Sequence, residues 1–360
     1  MEMMGKKLDG FKIHHFRRII VMASFFLVLV VGVIYWQVDL ITQKVLINRI
    51  QDEKLIVARA GSKAVADYFS ARKVELLLLN DVEAVRRGEK ESGSQTLKNV
   101  LERVGDSLLV DVVRIDKEGK IIFAASGAEG EFVSDRKYFL WAKKQISADE
   151  VYLSEPVVAR GGPTEGKIAM VMASPIFNLG ESDGAVIMVF DLEDLTQRFI
   201  KPLTLSGDDQ ITLIDESGQV VTSSFIGSSG ENIFDLIGKD NWQGQEEFMV
   251  TVEDSLKGNE GRAIVPYLVP TTKEVKRAIA VYTPIKIDGL MMTLWVLMPY
   301  KKAINLVMPL LKAQTLGIII GLTVIVFFIL VLIFGVRVAQ RDGFVDGFRD
   351  GRDGVKKGKK

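Results

Sequence analysis

The sequence predicts an α+β protein of two successive units, each built on an antiparallel sheet, with a long N-terminal helix and two flanking transmembrane helices. Three observations predict it. Two apolar runs without a charged residue, Ile19 to Trp36 and Ala313 to Val336, stand near the ends of the 360-residue chain. A proline-free amphipathic stretch follows the first run, and the remaining segment between the runs contains a duplication.

Each apolar run is close to the roughly 20 residues a helix needs to cross a bilayer, where every backbone amide must bond within the helix. The first ends in Ile34-Tyr35-Trp36 with no small-x-small cleavage site, which favours an anchor over a removed signal peptide. Lys6, Lys7, Lys12, Arg17 and Arg18 precede it, and eight Lys or Arg, from Arg337 to Lys360, follow the second run. Basic residues flanking spans are retained in the cytoplasm. Both tails, 1–18 and 337–360, are therefore expected inside and residues 37–312 outside.

From Ile41 to Arg87 there is no proline and only one glycine, Gly61, while Val45, Leu46, Ile50, Leu55, Ala58, Val65, Tyr68, Phe69, Leu76 and Leu79 recur on one side. This pattern predicts a long amphipathic helix, broken at most once. Strand-like segments follow. Val112-Val113-Arg114-Ile115-Asp116-Lys117-Glu118-Gly119-Lys120-Ile121-Ile122 is echoed by Ile211-Thr212-Leu213-Ile214-Asp215-Glu216-Ser217-Gly218-Gln219-Val220-Val221. Both read as hairpins turned by Asp and Gly. Lys167 to Ile176 is echoed by Lys276 to Ile285, and Asp183-Gly184 with its apolar strand by Asp288-Gly289 with its own, at offsets of 99, 109 and 105 residues. Three blocks in one order predict one unit used twice.

Composition removes much chemistry. Without cysteine there are no disulfides, thiolate nucleophiles or Cys-based metal sites. The two histidines, His14 and His15, lie in the N-terminal tail, so the central segment cannot build a Ser-His-Asp triad or a histidine zinc site. The formal net charge is zero and no basic cluster with interleaved aromatics occurs, which argues against a nucleic-acid partner. A carboxylate-pair enzyme built on Asp208 and Asp209 is disfavoured, since paired surface acids are usually solvated turns. No enzymatic activity, cofactor or metal is expected.

The sharpest clue to a site is an asymmetry. The first unit contains Phe132-Val133-Ser134-Asp135-Arg136-Lys137-Tyr138-Phe139-Leu140-Trp141-Ala142, and the second has no comparable Asp-Arg-aromatic cluster. An arginine among aromatics holds a carboxylate through two parallel hydrogen bonds. Tyr152 and Ser154 supply hydroxyls on one face of a strand, and Asp191 is placed to meet an ammonium group. Each has a plainer reading. Arg136 pairs only with Asp135; Tyr138, Phe139 and Trp141 are core; Asp191 caps the helix Leu192 to Phe199. Arg160-Gly161-Gly162-Pro163 reads as a turn, from which a loop arginine could close over an anion.

The order Asp135-Arg136-Lys137-Tyr138-Phe139, Val151-Tyr152-Leu153-Ser154-Glu155-Pro156 and Asp183-Gly184-Ala185-Val186 after a long helix resembles the double Cache family of tandem PAS-like extracytoplasmic sensor domains of bacterial receptors. The resemblance covers about 37–303. It implies a long helix over 37–94, a membrane-distal ligand-binding unit over 95–200, a proximal unit over 201–303, and a second span with its lead-in over 304–336. It further implies a two-pass protein of the bacterial inner membrane. In amino-acid-binding members an Arg and nearby aromatics take the ligand carboxylate, and a later Tyr and Asp take its amine. By that resemblance Arg136, Tyr138 and Phe139 fill the first role and Tyr152 and Asp191 the second. This chain has Tyr138 where the amino-acid pattern has tryptophan, so a small organic acid stands beside an amino acid as the expected ligand.

Receptors of this layout continue beyond the second span into an output domain, whereas here repeated Asp-Gly pairs and a lysine-rich end predict a disordered tail. The expectation is a signalling partner acting in trans in the cytoplasm or membrane, or a truncated receptor. Gly317-Ile318-Ile319-Ile320-Gly321 has the spacing that lets membrane helices pack closely, and a homodimer through the N-terminal helix and the spans is expected. The alternative to a sensor is an envelope scaffold without a small ligand.

Overall fold

The computed structural model describes residues 2–204, 209–224, 229–269, 272–287 and 290–357; for 2–21, 23, 24, 28, 39, 332, 333 and 335–357 it describes the backbone alone. The chain divides into a globular body, Asn48–Ala303, and a helical pair formed by the segments up to Ile47 and from Ile304.

The first helix, α1 (Glu2–Asp81), ends where Val82 turns to an extended conformation, and a short α2 (Glu83–Arg86) follows. No proline or glycine forces this break. It is held from outside, because the buried guanidinium of Arg114 donates to the carbonyls of Val85 and Arg86 at the end of α2. Helix α3 (Lys90–Val104) closes on Gly105, whose left-handed φ of 59° suits a residue without Cβ. It packs on β1 (Leu109–Ile115) and β2 (Ile121–Ala124), so the expected unit boundary at residue 95 falls inside a helix of the first repeat. The first repeat continues through α4 (Lys137–Ala142), β3 (Tyr152–Leu153), β4 (Val157–Val158), β5 (Ile168–Asn178) and β6 (Glu181–Asp191). A short α5 (Leu192–Leu195) leads to the second repeat: β7 (Gln210–Asp215), β8 (Val220–Ser223), α6 (Ile233–Gly238), α7 (Gln245–Leu256), β9 (Gly261–Leu268), β10 (Val275–Ile287) and β11 (Leu290–Pro299). The last helix is α8 (Tyr300–Lys357).

The two sheets have the same topology, β2-β1-β6-β5-β3 and β8-β7-β11-β10-β9, with antiparallel pairing throughout. The duplication extends to single atoms. Asp116 Oδ1 accepts from the amides of Glu118 and Lys120, and Asp215 Oδ1 accepts from those of Ser217 and Gln219. Gly119 and Gly218 follow at φ 89° and 82°. These are turns in which the Asp side chain replaces a backbone acceptor. The third echo is corrected. Val113 pairs with Ile187 and Thr212 with Trp295, so Ile187 corresponds to Trp295 at an offset of 108 rather than 105. Asp183-Gly184 stand inside β6, whose hairpin turns at Leu179-Gly180, and Asp288-Gly289 lie outside the described residues.

One face of both sheets is covered by α1. Ala58, Val65, Phe69 and Leu76 share a buried core with Met172, Met188 and Phe190 of the first sheet and with Leu213, Val281 and Leu294 of the second. The opposite faces carry separate cores, under α4 in the first repeat and under α6 and α7 in the second. Strands buried on both sides account for the near-continuous apolar runs of β6 and β11. Gly184 marks the tightest backbone approach, since a Cβ there would sit 2.1 Å from the Ile115 carbonyl oxygen at a φ of +101°. Gly184→Ala is expected to lower stability by about 1–3 kcal/mol, read as a fall in the thermal midpoint; an unchanged midpoint would contradict the packing described.

In the helical pair, α1 and α8 each contain a stretch long and apolar enough to cross a membrane. Phe25, Phe26, Phe327 and Phe328 are exposed there, and the Tyr35 and Thr315 hydroxyls share a 2.7 Å hydrogen bond between the helices. A Cβ built at Gly317 or Gly321 would meet nothing within 4 Å among the described residues, so these glycines do not pack the two helices together. The backbone stays helical to Lys357, where the sequence predicts a disordered tail. Extending an existing helix orders only one residue per added hydrogen bond, which offsets the poor propensity of the Asp-Gly repeats.

Candidate functional site

The two repeats differ most on the sheet face opposite α1. In the second repeat Tyr282 and Trp295 are cross-strand neighbours whose rings stack 5.1 Å apart, and with Phe248 they fill the space beneath α7. The Trp295 indole N–H donates to Ser255 Oγ at 3.0 Å and the Tyr282 hydroxyl to Asp254 at 2.6 Å, so both polar ends are satisfied. The matching pair in the first repeat is Ala173 and Ile187. Of the two, Ile187 borders a cavity.

The cavity lies between the sheet, the Val133–Tyr138 segment and the 157–164 loop, with Val113, Val171 and Ile187 forming its apolar wall. Its volume is about 40 Å3. That is room for a few waters, well below the several hundred Å3 of a typical ligand pocket, so a ligand must displace the loop. The loop is latched by Arg160, whose Nη1 and Nη2 donate to the two Asp135 oxygens at 2.5 and 2.7 Å. The same guanidinium holds the Asp135 carboxyl below its ordinary range. Asp135 therefore pairs with Arg160, and the ion pair with Arg136 suggested by their adjacency is not formed.

Arg136 lines the cavity and donates through Nη2 to the Val158 carbonyl at 2.6 Å. It forms no ion pair among the described residues, which leaves the rest of its fork available. Tyr138 also lines the cavity, and burial pushes its phenol up to about 12, so the hydroxyl stays neutral. No other member of the candidate set borders this space. Phe139 is packed in the core under α4. Tyr152 stacks on Trp141 at 5.3 Å. Ser154 is buried, donates to the Glu155 carbonyl at 2.7 Å and accepts from the Val171 amide at 2.9 Å. Asp191 caps α5, accepting from the amides of Glu193 and Asp194, and lies 3.7 Å from Lys167. Among the described residues no group of His, Asp or Glu is arranged to hold a metal.

Sequence reasoning passes over Asp111, which lines the cavity and is only 3% exposed. Burial pushes its carboxyl up, against the opposing pull of hydrogen bonds from Ser126, Val112 and Ala125. The available signal is one acid inside the apolar run Leu108-Leu109-Val110-Asp111-Val112-Val113.

Residues 41–307 match the Cache domain family. The fold is similar to that of several solved sensor domains. An extracellular domain attributed to a histidine kinase, rpHK1S-Z16, has a TM-score of 0.56 and 15% identity over 69% of this chain and 94% of that one. The ligand-binding domain of the Pseudomonas fluorescens chemoreceptor CtaA, in complex with L-serine, has a TM-score of 0.53 and 13% identity over 71% and 99%. A domain attributed to a sensory box/GGDEF family protein of Vibrio parahaemolyticus has a TM-score of 0.52 and 14% identity over 72% and 99%. Among curated proteins none matches the chain in sequence.

Proposed function

This chain belongs to the Cache domain family, and from that premise we propose that it is a membrane-anchored sensor whose first repeat binds a small organic anion or amino acid. The observation that carries this reading is the filling of one repeat and not the other. Trp295 stands in the second repeat where Ile187 borders the cavity in the first, and Arg136 lines that cavity with no ion pair among the described residues. A guanidinium fork facing a sheet wall of valine and isoleucine suits a carboxylate. Among the similar structures, that of CtaA was solved with L-serine, L-alanine and L-leucine.

Signal transfer in this proposal runs through α1, which packs against both sheets. A ligand biases the helix only through its different affinity for two arrangements of the body, one with the Arg160–Asp135 latch closed and one with it displaced. In this reading both tails are cytoplasmic and the globular body lies outside, which the basic flanks of the spans support. Protease protection of the body in sealed right-side-out vesicles would contradict that orientation.

The direct test is a melting series of the full chain in nanodiscs, read by tryptophan fluorescence, against amino acids and small mono- and dicarboxylic acids. At least one is expected to raise the midpoint by mass action. Arg136→Ala should cost the responsive compound about 10- to 100-fold in affinity, in line with the loss of a charge-assisted bidentate contact of about 1.5–3 kcal/mol. Midpoints unmoved across the panel would overturn the reading.

A further inference from the structure

We infer that the pocket between the linker joining the two repeats and the end of the second sheet is a second ligand site, suited to a neutral polyhydroxylated compound such as a sugar. The inference is independent of the reading of the first-repeat cavity, with which this pocket shares no lining residue.

The linker that follows α5 is a π-helical turn, Thr196–Ile200, and a tighter turn, Lys201–Leu203. Helical turns of the π type are rare and occur mostly at functional sites. Thr196, Lys201 and Thr204 on this side, and Gln210, Ser224 and Pro299 at the end of the second sheet, line one open pocket of about 580 Å3. That is the size of an ordinary small-molecule site, whereas the first-repeat cavity has about 40 Å3.

The wall is rich in acceptors. Thr196 Oγ1 donates to the Leu192 carbonyl at 2.7 Å, Thr204 Oγ1 to the Lys201 carbonyl at 2.6 Å and Ser224 Oγ to the Ile211 carbonyl at 3.2 Å. With those protons committed, the hydroxyl oxygens can only accept from a ligand. Gln210 Oε1 is shielded from solvent and has no hydrogen-bond partner among the described residues. An acceptor buried in that way is costly, so a donor arriving there gains more than an exposed bond would give. Lys201 Nζ gives one proton to Gln197 at 3.0 Å and keeps the others for a ligand oxygen. Asp209, which also lines the pocket, is paired with Lys54, and the exposed Lys201 repels a cation. An anion would set its lone pairs against the acceptors of the wall. A compound with several hydroxyl donors and no net charge meets neither obstacle.

The position bears on both long helices. Lys54 belongs to α1, a Cβ at Gly61 of α1 would clash with Leu203 of the linker, and Pro299 is the residue before α8 begins. A ligand here would brace the linker against the footing of both, as an input separate from the first repeat.

The test is isothermal titration calorimetry of the full chain in nanodiscs against D-glucose, D-galactose, D-ribose and myo-inositol, with putrescine as a cationic comparison. At least one of the polyols is expected to bind saturably and to slow hydrogen exchange over residues 196–204. Gln210→Ala, which removes the buried acceptor, should weaken that binding by about tenfold, the loss of one hydrogen bond to a shielded group. Lys201→Ala should weaken it by about three- to tenfold with an unchanged thermal midpoint, since Lys201 is exposed and bonds only to Gln197 among the described residues. No saturable binding by any of the polyols, binding that survives both substitutions, or binding by putrescine in their place overturns the inference, and each of these leaves the first-repeat reading standing.

Discussion

Arg114→Ala is expected to destabilise the globular body by about 3–5 kcal/mol, chiefly through the buried carbonyls left unsatisfied and the void left behind, since Asp183 is itself partly exposed. Arg114 is 1% exposed. Its Nε donates to the Val85 carbonyl at 2.9 Å, Nη2 to the Arg86 carbonyl at 3.4 Å and to Asp183 at 3.0 Å, and Nη1 to the Ile115 carbonyl. Burial works against its charge, and the Asp183 carboxylate works for it. Truncation would strand three carbonyls and one carboxylate and open a void the size of the side chain. Arg114→Lys keeps the charge without the planar fork and should recover only part of the loss. The check is the thermal midpoint of the full chain together with hydrogen exchange at residues 82–88. A midpoint within a degree or two of wild type would show that α2 is held by something other than this side chain.

Ile187→Trp should erase the ligand response while the fold survives. The second repeat provides the precedent, because Trp295 occupies the equivalent position and fills the equivalent space. An indole at 187 has about 40 Å3 of open cavity to grow into, so overpacking should cost about 1–3 kcal/mol rather than unfold the body. Affinity for the responsive compound should fall at least 100-fold, about 2.8 kcal/mol. Retained binding with an intact midpoint would place the ligand elsewhere.

The turns are legible in the sequence because their chemistry is local. Asp116 and Asp215 each bond to amides two and four residues ahead, and Gly119 and Gly218 supply the positive φ, so both hairpins can be read within a few residues. The long helix is legible for the same reason, from the spacing of Val65, Phe69 and Leu76, but its end at Val82 is not. That end depends on Arg114, whose position within β1 gives no hint that its side chain is buried. The Asp-Arg-aromatic cluster directs attention to a segment that borders the cavity, and Arg136 and Tyr138 line it. Phe139, Ser154 and Asp191 carry residue types suited to a ligand, yet the structure engages them in a core, a strand connection and a helix cap.

From its sequence alone, this protein has two candidate spans, a long helix between the first span and the sheets, and one sheet unit used twice. Those features follow from composition over a segment, from helical and strand periodicity, and from turns that close within a few residues. Only the tertiary structure decides that the repeats differ inside, that Arg114 pins the end of α2, and that Asp111 and Arg136 share a cavity with the 157–164 loop above them. The physical reason is register. Whether Ile187 faces Val113, and Trp295 faces Thr212, is set by pairing between strands far apart in the chain, and a shift of one residue would turn each side chain to the other face of its sheet.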